Sequence, residues 1–169
     1  DWADNSSGTS NIYQAIDEAS ASDSDYIEAV LTTDEEEEEN LPTTAKFGLS
    51  NVTDPESASN HIVRYRASAV IGEEDGSSPS LTVSLREGTT ERAAVTNTSV
   101  SDSFTNYSLT LNSTQANNIS NYNNLNLWVT VNSADADDDG IRISQMYFET
   151  PDAPAAAAAD TEAFLLFID

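Results

Sequence analysis

The sequence predicts an all-β protein built as a single antiparallel β-sandwich. Short runs of alternating apolar and polar residues recur along the chain, most clearly at 81–86 and 125–131. Such period-two runs predict half-buried strands. Polar turn sequences separate the runs, and segments with helical periodicity are few. Many short strands joined by polar turns are typical of an antiparallel sandwich.

Eight strands are predicted in chain order. Clear runs lie at 62–67, 81–86, 107–111, 125–131 and 141–148, and weaker ones at 26–31, 45–49 and 93–96. In the first clear run Val63 and Tyr65 share one face, and Arg64 and Arg66 share the other. Because the chain is so acidic, we expect both arginines to pair with carboxylates. The run at 81–86 leads into a Glu87-Gly88 turn.

The remaining segments predict short helices, loops and a tail. One or two short helices are expected, at 12–19 and 114–119. Six consecutive acids at 34–39 predict a solvated loop between two early strands, and 72–79 predicts a polar hairpin loop. We assign 1–150 to the sandwich domain, 151–160 to a Pro/Ala linker, and 161–169 to an apolar C-terminal strand or docking peptide.

Charge restricts the conditions and partners that suit this chain. Thirty acidic residues face six basic ones, for a formal charge of −24, and Lys46 is the single lysine. Self-repulsion of that size destabilises a compact state, whereas at about 1 M salt the Debye length is only about 3 Å. The composition therefore predicts a high-salt environment and no nucleic-acid partner. No apolar stretch is long enough to span a membrane, and there is no cysteine.

The best metal-binding motif lies at 135–140. Asp135, Asp137 and Asp139 followed by Gly140 match the opening of a calcium-binding loop, in which alternate carboxylates converge on Ca²⁺. Position twelve of that loop needs a bidentate acid, but here it is Met146. A solvated acidic hairpin loop is therefore the favoured interpretation, and Ca²⁺ is the alternative and the one candidate cofactor.

Catalytic signatures are weak throughout the sequence. His61 is the only histidine, so a Ser-His-Asp triad or a histidine-assisted metal site would depend on it. We expect a structural or surface role for His61 instead. Carboxylate pairs suited to glycoside hydrolysis cannot be selected from thirty acids. The sequence therefore predicts no catalytic residues and no enzyme.

Two further features suggest binding. Trp128 is predicted on the strand face opposite Leu125, Leu127 and Val129, where it would either stack on a sugar or be covered by protein. An exposed apolar strip would be an aggregation hazard, so the strip at the end of the tail is expected to pair with another surface. Its docking residues are Phe164, Leu165, Leu166, Phe167 and Ile168.

The spacing of the strand segments resembles a β-sandwich domain common in structural proteins of tailed phages and tailed haloarchaeal viruses. The resemblance covers residues 2 to about 151, and neither the acidic run at 34–39 nor the 152–169 tail belongs to it. The matching segments are 16–18, 25–27, 47–50, Asp54-Pro55, 61–67, 81–88, 107–111, Gln115-Ala116, Ile119, Tyr122, Leu125, 145–149 and Pro151. The family implies a jelly-roll-like module that builds or decorates virions without enzymatic activity.

These observations predict a non-catalytic structural protein on the surface of a halophilic tailed virus. Capsid decoration or a turret is the first choice, with other virion proteins and further copies of the chain as partners. A tail-fibre or baseplate module is one alternative. A carbohydrate-binding adhesin that recognises host surface glycans through Trp128 is the other.

Overall fold

Nine strands form two antiparallel sheets within the residues that the computed structural model describes, which are 2–4, 12–16, 20–31, 43–49, 52–72, 78–132 and 139–153. Their bounds are β1 Trp2–Asp4, β2 Ile27–Leu31, β3 Thr43–Gly48, β4 Ile62–Val70, β5 Ser80–Glu87, β6 Thr90–Asn97, β7 Thr105–Thr110, β8 Leu125–Asn132 and β9 Asp139–Glu149. The helix α1 spans Ser113–Asn117, and 3₁₀ turns span Ile12–Ala15 and Tyr122–Asn124. This architecture confirms the predicted antiparallel sandwich.

The strand order is that of a jelly roll with one additional edge strand. The five-stranded sheet has the order β1-β2-β9-β4-β7, and the four-stranded sheet has the order β3-β8-β5-β6. The pairs β2/β9, β3/β8, β4/β7 and β5/β6 are therefore nested, as when one long antiparallel ribbon of strands is wrapped into two sheets. Two packed sheets with this nesting define the jelly roll.

All eight predicted strands are present, with ends displaced by a few residues. Alternation decides their burial, since β8 buries every second side chain from Leu125 to Val131 and turns Trp128 outward. Only β1, three residues long, was not predicted. It extends the sheet by pairing with β2, and Trp2 is buried there.

Two connections that were predicted as hairpin loops instead join strands of different sheets. The segment 72–79 is not a hairpin loop, because it joins β4 in one sheet to β5 in the other. The segment between β8 and β9 crosses between the sheets in the same way, so the acidic run there is not a hairpin loop either. Local polarity marks a connection, but it carries no information about which sheet the next strand joins. Residues 34–39 lie outside the described residues.

The β5–β6 connection is a hairpin, at the predicted Glu87-Gly88 turn. Glu87 pairs with Thr90, so the loop has two residues, and Gly88 has a φ of +60°. A positive φ at the first loop position favours glycine and gives a turn that matches strand twist. The helix predicted at 114–119 is found as α1, whose N-cap Asn112 accepts a hydrogen bond from the Gln115 amide. At 12–19 only the 3₁₀ turn Ile12–Ala15 is described.

The core lies between the inner faces of the two sheets. Leu81, Val83 and Leu85 of β5 are fully buried, as are Val129 of β8 and Ile143 of β9. Apolar side chains from the two sheets thus meet in the middle of the sandwich. Burial of each stabilises the fold by about 1.5–3 kcal/mol.

Candidate functional site

An apolar groove of about 710 Å³ opens where the end of β3 approaches the end of β9. The 3₁₀ turn supplies a third wall, and this wall is held in place because the Met146 amide of β9 donates a 3.0 Å hydrogen bond to the Ile16 carbonyl. Most of the lining side chains are apolar. They are Ile12, Tyr13, Ile16, Lys46, Phe47, Gly48, Leu49, Val52, Leu127, Met146, Tyr147 and Phe148.

Incomplete burial is concentrated at this groove. Seven apolar side chains in the described residues are only partly buried against the core, and five of them line the groove: Ile12, Phe47, Leu49, Val52 and Phe148. Tyr13 and Tyr147 on the same lining are 52% and 43% exposed. Exposed apolar patches of this kind mark interaction sites in soluble proteins. The groove is therefore the best candidate for a binding surface.

The groove also lies against the edge strand of the four-stranded sheet. Among the described strands β3 pairs with β8 alone, and Lys46, Phe47 and Gly48 of β3 are part of the lining. A Cβ atom added at Gly48 would meet no other atom within 4 Å, so the outer face of β3 is open at this position. An edge strand next to an apolar groove is the arrangement that accepts an added extended peptide.

Charge at the groove differs from charge over the rest of the chain. None of the described residues that line it is acidic, although the chain has thirty acids, and its one charged lining residue is Lys46. An acidic partner therefore meets less like-charge repulsion here than at the acidic loops.

Trp128 lies on the outer face of the four-stranded sheet, as the alternation predicted, with a cation on each side. The Lys46 ammonium on β3 is 4.0 Å from the ring centroid, and the Arg86 guanidinium on β5 is 4.3 Å from it. These distances are those of cation–π contacts. A sugar that stacked on Trp128 would have to displace one of these cations, which makes this ring a weaker platform than a bare one.

All five arginines form ion pairs. The pairs are Arg64 with Glu149, Arg66 with Asp23, Arg86 with Glu91, Arg92 with Glu87 and Arg142 with Glu28. The expectation that Arg64 and Arg66 pair with carboxylates is confirmed. Arg66 holds Asp23 with two hydrogen bonds of 2.7 Å, and chiefly through them it lowers the pKa of that carboxyl.

Glu87 is the most enclosed of the paired carboxylates, with a side chain 9% exposed. It accepts hydrogen bonds from the Ser120 amide and hydroxyl at 3.0 and 2.5 Å, and from Arg92 at 2.7 and 3.0 Å. Burial raises the pKa of the Glu87 carboxyl, but the Ser120 and Arg92 hydrogen bonds outweigh burial, so its pKa lies below the ordinary 4.5. Glu87 therefore anchors the segment after α1 to the β5–β6 hairpin.

His61 is fully buried immediately before β4, which agrees with the structural role expected for it. Its Nδ1 lies 3.0 Å from the Ser59 carbonyl, which can only accept, so Nδ1 donates. In the neutral ring Nε2 then accepts the Tyr122 hydroxyl proton across 2.7 Å. Burial raises the pKa of Tyr122, which keeps that hydroxyl protonated. Both ring nitrogens are thus engaged within the fold.

The calcium motif is described in part. Asp135 and Asp137 lie outside the described residues. Asp139 is the first residue of β9 and is buried, and its Oδ1 accepts a 3.0 Å hydrogen bond from the Gly72 amide. The described part of the chain holds no cluster of three metal-ligating side chains. What Asp139 does in this structure is to join the ends of β4 and β9.

The docking residues Phe164, Leu165, Leu166, Phe167 and Ile168 also lie outside the described residues, as does the linker from 154 onward. Sequence reasoning missed the groove, although Phe47 and Leu49 fall in the predicted strand at 45–49. What distinguishes these two residues is that they are only partly buried, and their burial depends on which elements pack above the strand.

Comparison with known proteins finds no matching family model, no matching curated protein and no matching solved structure. No helix among the described residues is long and apolar enough to cross a membrane. A function for this chain therefore rests on the fold, the groove and the charge pattern.

Proposed function

We propose that this chain is a non-catalytic structural module on the surface of a tailed virus particle, where it works at high salt. It decorates the capsid or forms part of a turret, and other virion proteins, including further copies of the chain, are its partners. The observation that carries the proposal is the apolar groove at the edge of a jelly roll, because an assembly contact requires an apolar surface such as the one that the described residues leave partly exposed here.

The use of the polar side chains supports a structural rather than a chemical role. The single histidine has both ring nitrogens hydrogen-bonded inside the fold, and each arginine is held by a carboxylate. A nucleophile or general base needs a partner group within reach of a substrate. The groove lacks such a pair among its described lining residues, so it is suited to apolar docking.

Deletion of residues 161–169 tests the docking role on particles. We expect the truncated protein to be lost from virions purified from the host, because the apolar strip can no longer bury its side chains against a neighbour. A full-length control with Phe164, Leu166 and Ile168 changed to serine should be lost equally, since it keeps the length and the linker. Normal incorporation of both variants would overturn the proposal. Immunogold labelling separates a head location from a tail fibre or baseplate.

Salt dependence tests the high-salt environment. The free energy of unfolding should fall as salt is lowered below about 1 M, because the repulsion between acidic side chains is then no longer screened. A matched titration with a neutral osmolyte is the control, because an osmolyte stabilises a fold by being excluded from the protein surface but does not screen charge. A fold whose stability does not respond to salt would contradict this part of the proposal.

A glycan-binding adhesin is the second candidate, and the outward position of Trp128 favours it. β3 and β8 carry no acidic residue, so an acidic glycan would meet Lys46 and Trp128 without repulsion from these two strands. Glycan-array binding at about 1 M salt that is lost in Trp128→Ala would support this function. If no glycan on the array is bound, the adhesin function is rejected and the assembly function remains as the single candidate.

A further inference from the structure

We infer that the groove is the receptor for the apolar strip 164–168 of a neighbouring copy of this chain. The inference rests on the proposed assembly function and names the partner: a second copy, joined through its tail. The strip and the groove are different surfaces, so each copy would give one and receive one in a head-to-tail contact.

The chemistry of the two surfaces matches. In an extended strip Phe164, Leu166 and Ile168 share one face, with Leu165 and Phe167 on the other. The groove presents an apolar lining to receive one of those faces, and the adjacent edge of β3, which no described strand pairs with, offers backbone hydrogen bonds. Addition of a strand to a sheet edge combines the same two contributions.

The position of the tail also fits. The described chain ends at Ala153, four residues after β9, and Met146, Tyr147 and Phe148 near the end of β9 line the groove. Phe164 is 11 positions beyond Ala153, and a chain of that length spans at most about 40 Å. A folded domain of 150 residues has a radius of gyration of about 15 Å, so the tether is long enough to reach an adjacent copy.

Charge favours a second copy at this face over most others. Two molecules of charge −24 repel wherever their acidic loops meet. The strip contains no charged residue, and the described lining of the groove contains Lys46 but no acid. The contact between strip and lining therefore sets no carboxylate against another, and Glu162 and Asp169, which flank the strip, meet Lys46 as the one charged residue of the described lining.

Because the chain has no cysteine, disulfide trapping tests the inference directly. One full-length variant carries Tyr13→Cys on the groove rim, and another carries Leu165→Cys on the face of the strip opposite Phe164. Tyr13 is 52% exposed, so the substitution should leave the fold intact. The variants are mixed in equal amounts under mild oxidation at about 1 M salt, and the product is read on a non-reducing gel.

A disulfide-linked heterodimer should form at least about tenfold faster than in a mixture of Leu165→Cys with Ile71→Cys, since docking raises the effective concentration of the two thiols. Ile71 is the matched control, because it is 40% exposed and does not line the groove. Adding Leu49→Trp to the Tyr13→Cys chain should abolish the advantage by filling the groove, because alternation places Leu49 on the same inward face as Phe47. Gly48→Ala, on the opposite face of the strand, should preserve it.

Equal rates with Tyr13→Cys and Ile71→Cys would overturn the inference. So would cross-linking confined to a chain that carries both Tyr13→Cys and Leu165→Cys, since the strip would then occupy its own groove. If the wild-type protein still self-associates and Leu49→Trp weakens that association, the assembly function stands and only the assignment of the strip fails. If self-association is absent as well, the inference fails, and incorporation into purified particles decides the assembly function separately.

Discussion

The centre of the sandwich and the groove at its edge are built from the same kinds of residue but are covered differently. Leu85 and Val83 are fully buried, whereas Leu49 and Val52 are only partly buried and Tyr13 beside them is half exposed. The described chain therefore completes its core at the centre and leaves it open at the groove. The difference separates residues that hold the fold from residues available to a partner.

The largest effect should come from a pair of leucine substitutions. Leu85→Ala should lower the free energy of unfolding by about 2–5 kcal/mol, because it leaves a cavity in a filled core. Leu49→Ala should cost only about 1 kcal/mol, because that side chain is partly exposed already. Denaturant unfolding at about 1 M salt measures both. Equal losses would mean that the groove is an ordinary part of the core.

A smaller effect is expected at Glu87, which belongs to the closed part of the sandwich. Glu87→Gln should lower the free energy of unfolding by about 1–3 kcal/mol, because hydrogen bonds from Arg92 and Ser120 lose their charged acceptor. Glu91→Gln is the control, since that carboxylate is 49% exposed and, within the described part of the chain, bonds to Arg86 alone. Its loss should be within about 1 kcal/mol.

The pH dependence of unfolding identifies the contribution of Glu87. Its folded pKa lies below the ordinary 4.5, so its stabilisation is complete above pH 4.5 and is lost as pH falls through the folded value. Urea midpoints measured from about pH 7 to pH 3 should therefore fall less steeply in Glu87→Gln than in wild type. Parallel acid limbs in the two proteins would contradict the role given to this carboxylate.

The smallest effect is expected at the outer face of the five-stranded sheet. Arg64 and Glu149 are 42% and 46% exposed, so Arg64→Ala should leave the midpoint of thermal unfolding nearly unchanged, because water screens an exposed ion pair. It should leave self-association unchanged, because Arg64 does not line the groove. Thermal unfolding and sedimentation of the same sample check both parts, and a change in association would extend the docking surface beyond the groove.

The sequence predicted the strands far better than their arrangement. Alternation in β8 placed Leu127 inward and Trp128 outward, because period-two burial is a local property. The two sheet-crossing connections were mistaken for hairpins, because the choice of sheet depends on strands that pair across long separations. The Trp128 contacts with Lys46 and Arg86 escaped prediction for the same reason, since the three residues lie on three different strands.

The groove was beyond sequence reasoning for a related cause. The sequence predicts Phe47 to be an ordinary apolar residue of an alternating strand. Its partial burial depends on what packs above the end of β3. The apolar strip at 164–168 was visible from composition alone, since an exposed run of that kind implies a partner surface. Sequence thus indicated one half of the proposed contact, and the fold supplied a candidate for the other half.

The central claim, that the groove joins copies of this chain, is tested most directly by sedimentation equilibrium of the full-length protein at about 1 M salt. Wild type and Gly48→Ala should both self-associate. Leu49→Trp should bind at least about tenfold more weakly, since its larger side chain fills the groove that Phe47 and Leu49 line while the fold measured by circular dichroism is kept. A monomeric wild type, or a Leu49→Trp protein that associates as well as wild type, would contradict the claim.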